Sequence, residues 1–398
     1  MVKVIDSIMG SGKSTWAINF MKKIEKSKSI LYIAPYIDEA ERIKEKTLPE
    51  KHFHTPKPVG GSKLTHVEEL LGNGEDIATT HELFRRFNEG CKQAVKENNY
   101  ILILDETITA VEQFHFKGKD DVRYLLENRD IEIMSDGLIE WTGKKGYDTL
   151  YNEIRTLIEN HCLFRVDEKF YIWHFPVDIF SLFQEVYVMT YMFEGSLMKY
   201  YFDLYKIPYE TLSIEKISDG EYQLTGYSKP DKEKYRQLIN LYRGLDLNDN
   251  FTQKTTNLSV NWFKSSYNTS NINKIKNNLY NFIRNKTNAK SNDIMWTTFK
   301  DAKAKLKGNG YTKGFVEVNC RARNNFRDRH VLMYVANRYV NPEIVKFFEA
   351  RSITINQDAY ALSEMLQWIW RSAIRDDEEI RLFIQSNRMR NLLIEWLQ

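Results

Sequence analysis

The sequence predicts an α/β protein built on open parallel sheets, and three observations carry that reading. A short apolar run at 2–5 leads into Met9-Gly10-Ser11-Gly12-Lys13-Ser14-Thr15 and then a helix-like stretch over 16–24, so a strand, a glycine-rich loop and a helix start follow one another. Residues 100–104 are apolar without alternation, as in a parallel strand covered by helices on both faces, and they end in Asp105-Glu106. Further β-rich runs at 29–36, 76–81 and 185–191 alternate with helical patterns, the order of βα units. In such a sheet ligands lie outside the carboxyl ends of the strands.

Each later element has a local reason. Pro35 stops the second β-rich run, and a polar helix-like stretch follows at 38–47. Residues 51–75 read as loop because of Gly60-Gly61 and Gly72-Asn73-Gly74. From 113 to 180 the pattern is mixed, with short strands near 131–134 and 170–173 and a helix near 149–160, and this reads as an insertion in the first domain. A stretch rich in Asn, Lys and Ser at 229–293 reads as a polar surface subregion. Beyond it come strand-like runs at 294–299, 314–319 and 331–334, helices at 341–350 and 358–375, and a last strand and helix within 380–397. At 398 residues the chain is long for one core, and two domains are expected, 1–207 and 208–398.

Bulk properties exclude several classes. Net charge is only +3, so a polyanion would have to be held by local clusters of Lys and Arg and not by a global field. Cys91, Cys162 and Cys320 are odd in number and lack metal-ligand spacing, which argues against a disulfide framework or a zinc site and for a reducing cytoplasm. No apolar run reaches 18 residues, and the chain opens directly on its first strand, so neither a membrane partner nor a secretion signal is expected.

The chemistry-bearing residues fall into three groups. Met9 to Thr15 form a phosphate cradle: glycines let backbone N–H groups turn inward, Lys13 reaches the β and γ phosphates of ATP, and the Ser14 hydroxyl ligates Mg²⁺. The P-loop pattern has glycine four residues before Ser11, where this chain has Ser7. Asp105 can hold the Mg²⁺ shell, while Glu106 can activate the attacking water as general base. Gln367, Arg371 and Arg375 are spaced by four, which on one continuous helix makes an anion-binding stripe; taken alone, the same stripe reads equally well as a solvent-facing edge.

Taken in order, the P-loop, Asp105-Glu106-Thr107-Ile108, Thr190-Tyr191 and the Gln367/Arg371/Arg375 set resemble the superfamily-2 helicases, and the layout is most similar to compact helicases of bacteriophages and plasmids. The resemblance implies two RecA-like P-loop NTPase domains with parallel sheets, interrupted by an insertion between motifs II and III. It further implies ATP and Mg²⁺ in the first lobe, arginine fingers Arg371 and Arg375 from the second with Gln367, and coupling through Thr190 and Tyr191. The acidic box reads Asp-Glu-Thr-Ile, outside the narrow DEAD-box group, and the usual Ser/Thr-Ala-Thr is here Thr190-Tyr191-Met192.

Positions matching the family's nucleic-acid grips are Pro35, Tyr36, Thr79, Thr80, His81, Thr297, Thr298, Arg321, Arg323 and Asn324. Thr79-Thr80 reads alternatively as a helix cap, Arg321 as a surface ion-pair partner, and His81 as a structural residue. The implied activity is ATP-driven translocation and duplex unwinding by a monomer. Single-stranded or branched DNA is the implied partner, in replication, recombination or repair and alongside the proteins of those processes. A terminase-like packaging ATPase and an ATP-controlled DNA clamp are the rival expectations. With no segment ahead of the first strand to read the adenine ring, weak discrimination among nucleoside triphosphates is expected.

Overall fold

A computed structural model of the chain describes residues 1–58, 62–118, 120–144, 151–248, 254–318 and 326–398. It divides into two compact units, one of residues 1–6, 13–226 and 340–355 and the other of 7–12, 227–339 and 356–398. In chain order the first unit contains β1 (Val2–Asp6), β2 (Ile30–Ala34), β3 (Ile77–Thr80) and β4 (Ile101–Asp105). An insertion follows with β5 (Val111–Phe114), β6 (Ile131–Ile133), β7 (Ile139–Trp141), β8 (Leu163–Val166) and β9 (Phe170–His174). The main sheet then resumes with β10 (Glu185–Thr190), β11 (Tyr209–Ser218) and β12 (Glu221–Gly226). The main sheet runs β12-β11-β1-β10-β4-β2-β3, parallel throughout except between β11 and β12.

The continuous apolar run of β4 is buried on both faces from Ile101 to Leu104, which is why it does not alternate. On one face the helix Lys13–Lys23 sets Trp16, Ala17 and Met21 into the core, with Trp16 stacked on Phe20 at 5.1 Å and tilted against Tyr187 of β10 at 5.5 Å. The stretch expected as loop at 51–75 holds a helix, Lys63–Gly72. Its apolar positions Val67, Leu70 and Leu71 have helical spacing and are buried, and Ser62 caps it by accepting from Leu64 N at 3.1 Å; Gly72 and Gly74 fall at its end and just beyond, while Gly60 and Gly61 lie outside the described residues.

The insertion forms an antiparallel sheet β5-β9-β8 and a hairpin β6-β7. The helix Pro342–Glu349 also belongs to the first unit: Phe347 sits edge-on to Phe164 of β8 at 5.5 Å, and Lys346 pairs with Asp167 at 2.5 Å. The expected division at 207/208 therefore falls within this unit. β11 joins β1 in parallel on the side away from β10, satisfying an edge that would otherwise be open, and residues 340–355 return to cover the insertion.

The second unit is a parallel sheet of β13 (Ile239–Leu241), β14 (Ile294–Thr297), β15 (Val331–Tyr334) and β16 (Ile380–Ile384), in the order β13-β16-β15-β14. Its core joins Ile294, Trp296, Met333 and Phe383 to the helices Thr269–Asn281 and Lys303–Leu306 through Ile275, Leu279 and Leu306. The run beginning at Gly314 contributes a single bridge, Phe315 to Trp296.

The helix expected over 358–375 is shorter, Gln357–Ile369, followed by a turn and a 3₁₀ turn, Ala373–Asp376. Ser372 ends it: its hydroxyl donates to Ile369 O at 2.7 Å, its backbone is extended, and Ala373 N donates to Arg329 O at 3.1 Å instead of continuing the helical ladder. No helix among the described residues is long and apolar enough to cross a membrane.

Candidate functional site

Strand register assembles the site. β10 lies between β1 and β4, with Asp6 opposite Thr190 and Met189 opposite Asp105, so the carboxyl ends of three adjacent parallel strands bring Asp6, Thr190 and Asp105 to one edge of the sheet. The glycine-rich loop leaves β1 at that edge. Gly10 and Gly12 have φ of +84° and +99°, and a Cβ on Gly10 would meet nothing within 4 Å, so the backbone angle and not crowding demands glycine there. Ser11 N donates to Ile8 O at 3.2 Å to close the turn, and the helix begins at once with Lys13. Its first turn carries no acidic residue, leaving the positive end of the helix dipole to an anion.

Two polar atoms, Ser11 Oγ and Glu106 Oε2, are buried without a hydrogen-bond partner. Buried polar atoms are ordinarily satisfied, so each is suited to a polar ligand or a water that a ligand brings. These features fit a nucleoside triphosphate and its Mg²⁺. Met9, Ser11, Gly12, Lys13 and Ser14 are half-buried and Gly10 and Thr15 exposed, as a loop that closes on a ligand requires.

Asp105 and Glu106 differ in geometry. The Asp105 carboxyl is pushed up to about 6, first by burial and then by the neighbouring Glu106 charge, with Tyr32 and Arg42 pulling the other way. Glu106 is left-handed at φ 71°, a conformation costing about 1 kcal/mol or more in a residue other than glycine, and its N–H donates to Met189 O at 2.9 Å. His81 Nε2 lies 3.0 Å from Asp105 O, so His81 braces the acidic strand end, the structural alternative named for it above.

Sequence reasoning passed over Asp6. Its buried carboxylate accepts from Met192 N at 2.8 Å and Phe193 N at 2.9 Å, and Met192 is itself left-handed at φ 56°. Burial raises the Asp6 pKa, while the two N–H groups and the Lys13 charge lower it. An acidic residue closing an apolar strand directly ahead of a glycine-rich loop was the available signal. Thr190 and Tyr191, expected to couple hydrolysis to movement, are both buried.

The remaining site residues scatter. In the second unit Gln367 lies on the helix Gln357–Ile369 and its amide reaches Ser363 Oγ at 3.4 Å, Arg371 is buried in the turn after it, and Arg375 is exposed on the 3₁₀ turn. They do not form one helical stripe, because the helix stops at Ile369. Among the expected nucleic-acid contacts, Tyr36 is exposed and Pro35 half-buried. Thr79 is buried in β3, and Thr80 caps the turn His81–Phe84 by accepting from Leu83 N at 3.4 Å. Thr297 and Thr298 are fully buried, so in this structure neither hydroxyl can meet a strand. Arg321, Arg323 and Asn324 lie outside the described residues.

Comparison with known proteins agrees with this architecture. Residues 233–397 match the family described as the YonV C-terminal Rossmann-like domain, and residues 111–173 match the YonV middle domain. The chain is 40% identical, over its whole length and 98% of the relative's, to the SPbeta prophage-derived uncharacterized protein YonV of Bacillus subtilis (strain 168). Among solved structures it is similar to XPD in its apo form, with TM-score 0.51 and 13% identity over 99% of this chain and 95% of that one. It is similar also to Xpd4 of S. tokodaii, with TM-score 0.52 and 10% identity over 99% and 94%. At such identities the likeness speaks for the fold, which is that of two RecA-like lobes.

Proposed function

The chain belongs to the YonV family, and from that footing we propose that it is a nucleic-acid-stimulated ATPase of the helicase or translocase type, acting on DNA. One observation carries the reading: the P-loop, Thr190 and the Asp105-Glu106 pair stand at the carboxyl ends of three neighbouring parallel strands. The supporting details are the two left-handed glycines, the helix opening on Lys13 without an acidic first turn, and the buried oxygens of Ser11 and Glu106.

In this proposal the loop N–H groups and Lys13 hold the β and γ phosphates, and Ser14 and Asp105 hold Mg²⁺, which when bound neutralises charge developing on the transferred phosphoryl group. Glu106 orients a water and takes its proton. Asp6 is a positioning residue: it ties the loop after β10 to the strand that feeds the cradle. Arg371 is proposed as the arginine finger, stabilising charge in the transition state and not in the bound substrate. The B. subtilis relative is described as prophage-derived, which supports reading this chain as phage-encoded, and such a chain would serve the replication or recombination of DNA.

The decisive experiment is hydrolysis of ATP by the purified chain with single-stranded DNA, single-stranded RNA, duplex or nothing added, alongside strand separation on a tailed duplex. Stimulation by single strands together with unwinding is the expected result. Hydrolysis that no nucleic acid alters would overturn the motor reading, and stimulation without unwinding would turn it into an ATP-controlled clamp.

A further inference from the structure

One segment of the second unit departs from the rest of the chain in charge. Residues 254–318 carry twelve Lys and Arg against three Asp and Glu, a surplus of nine positive charges in a chain of net charge +3, so the remainder is net −6. Eleven of the twelve cations are exposed, with Lys276 half-buried. The fold itself does not require this. The segment packs on its sheet through Phe263, Ile272, Ile275, Leu279 and Leu306. In the helix Thr269–Asn281 the positions opposite that apolar face are Lys274 and Asn277, and Arg284 follows on exposed surface just past its end.

Internal contacts account for part of the charge. Lys286 pairs with Asp246 at 2.9 Å, Lys305 Nζ donates to Phe263 O at 2.6 Å, and Lys303 lies over the Phe315 ring at 4.3 Å. The segment as a whole still keeps its net positive charge, which is self-repelling unless a polyanion meets it. Two aromatic side chains stand among the cations: Tyr267 is 96% exposed, and Tyr280 is 44% exposed with the Arg284 guanidinium 5.8 Å from its ring centre. Cations tracking a backbone, with exposed rings between them, form the surface that binds single strands without sequence preference. A lipid surface would call for several large aliphatic or Trp side chains among the cations. Here the exposed large apolar residues of the segment are Val260 and the two tyrosines.

We infer that residues 254–318 form a grip for a single-stranded nucleic acid, the cations meeting phosphates and Tyr267 and Tyr280 stacking on unpaired bases. The inference rests on the reading of the chain as a nucleic-acid-driven ATPase and assigns that reading a surface made of the segment's exposed side chains, not of the buried Thr297 and Thr298 that lie within it. It explains how a chain of near-neutral charge holds a polyanion.

The test is anisotropy of a fluorescent single-stranded oligonucleotide, titrated at several NaCl concentrations with no nucleotide present. The variant combines Lys274→Glu, Arg284→Glu and Lys307→Glu. The control combines Lys26→Glu, Lys46→Glu and Lys96→Glu, exposed lysines of the first unit. Circular dichroism confirms that both remain folded. The first variant is expected to bind at least about tenfold more weakly and to lower the salt slope by roughly 2, at about 0.7 per phosphate contact on a single strand, with the control closer to wild type. Tyr267→Ala is expected to weaken single-strand binding more than duplex binding.

Unchanged affinity in the first variant, an equal loss in the control, or capture by anionic phosphatidylserine vesicles in place of the oligonucleotide would overturn the inference. Binding is read without ATP, so a chain that binds but never hydrolyses would sink the motor reading alone. Stimulated hydrolysis with unchanged binding in the first variant would sink this inference alone.

Discussion

Replacing Asp105 by asparagine is expected to stabilise the ligand-free protein while removing its hydrolytic activity. The substitution is isosteric, so what changes is charge. In the fold the Asp105 carboxyl moves from its ordinary 3.8 to about 6, because protein surrounds it and Glu106 adds a like charge. At about 1.36 kcal/mol per pH unit, its ionisation at neutral pH opposes folding by about 3 kcal/mol. Asparagine removes that opposition but also weakens the favourable contributions of Tyr32 and Arg42, and Asp105 is only half-buried, so a net gain of about 1–2 kcal/mol is expected.

The sign can be followed with pH. A carboxyl whose folded pKa is raised binds its proton more tightly in the folded than in the unfolded state, so wild-type stability falls as pH rises through the interval from 3.8 to about 6. The asparagine variant lacks that loss. The two proteins should have nearly equal stability at the acid end of the interval, and the variant should gain its full advantage above it. Urea unfolding without nucleotide or divalent cation, at both ends of the interval, measures this. A variant less stable than wild type above pH 6, or a difference that does not change with pH, would refute the argument that a half-buried like-charge pair is held there at a cost in stability.

Other outcomes follow from the same site. Lys13→Ala should reduce ATP turnover by roughly a hundredfold or more, measured as phosphate release. Glu106→Gln should lower kcat by about 10²–10⁴ while a fluorescent ATP analogue still binds, because the loss falls on the proton transfer and not on the cradle. Arg371→Lys, which keeps the charge at this buried position, should lower kcat well beyond any change in ATP affinity, and equal effects on both would remove the arginine-finger role. Asp6→Asn leaves one of the Met192 and Phe193 N–H groups facing an amide N–H₂, a loss of about 1–3 kcal/mol in thermal unfolding.

The legible parts of this chain were those where one residue type has few uses. A doubly apolar strand such as Ile101–Leu104 can only be covered on both faces, and Gly10 and Gly12 before Lys13 announced a turn that requires positive φ. The helix Lys63–Gly72 was hidden because glycine pairs ahead of it in the sequence and at its end outweighed the spacing of Val67, Leu70 and Leu71. Periodicity misled at the other extreme. Gln367, Arg371 and Arg375 keep a spacing of four across a helix end marked by the extended backbone of Ser372, whose N–H and hydroxyl both donate to Ile369 O while Ala373 N turns to Arg329 O. Spacing locates a face only while the backbone continues, and serine is an ordinary helix residue whose capping use depends on its surroundings. Thr79, Thr297 and Thr298 are buried, Thr79 and Thr297 within strands, and threonine serves a buried strand as readily as a ligand contact.

The same reasoning bears on how hydrolysis would reach the rest of the molecule. Thr190 and Tyr191 are the positions at which the sequence resemblance implies coupling, yet both side chains are buried and Thr190 pairs with Asp6 in the sheet. The link that the geometry does provide runs through the Asp6 side chain. The Asp6 carboxylate holds two successive N–H groups of the turn after β10, one of them on a left-handed residue, and Asp6 is the last residue of the strand that enters the phosphate cradle. A carboxylate is the only acidic or neutral side chain of that length able to accept from both N–H groups at once, since asparagine offers one acceptor oxygen and one donor group. A displacement of the turn after β10 is therefore transmitted to the base of the cradle through two charge-assisted bonds to one side chain, the Asp6 carboxylate. Coupling in this chain is thus sought at Asp6 and not at the Thr190 hydroxyl.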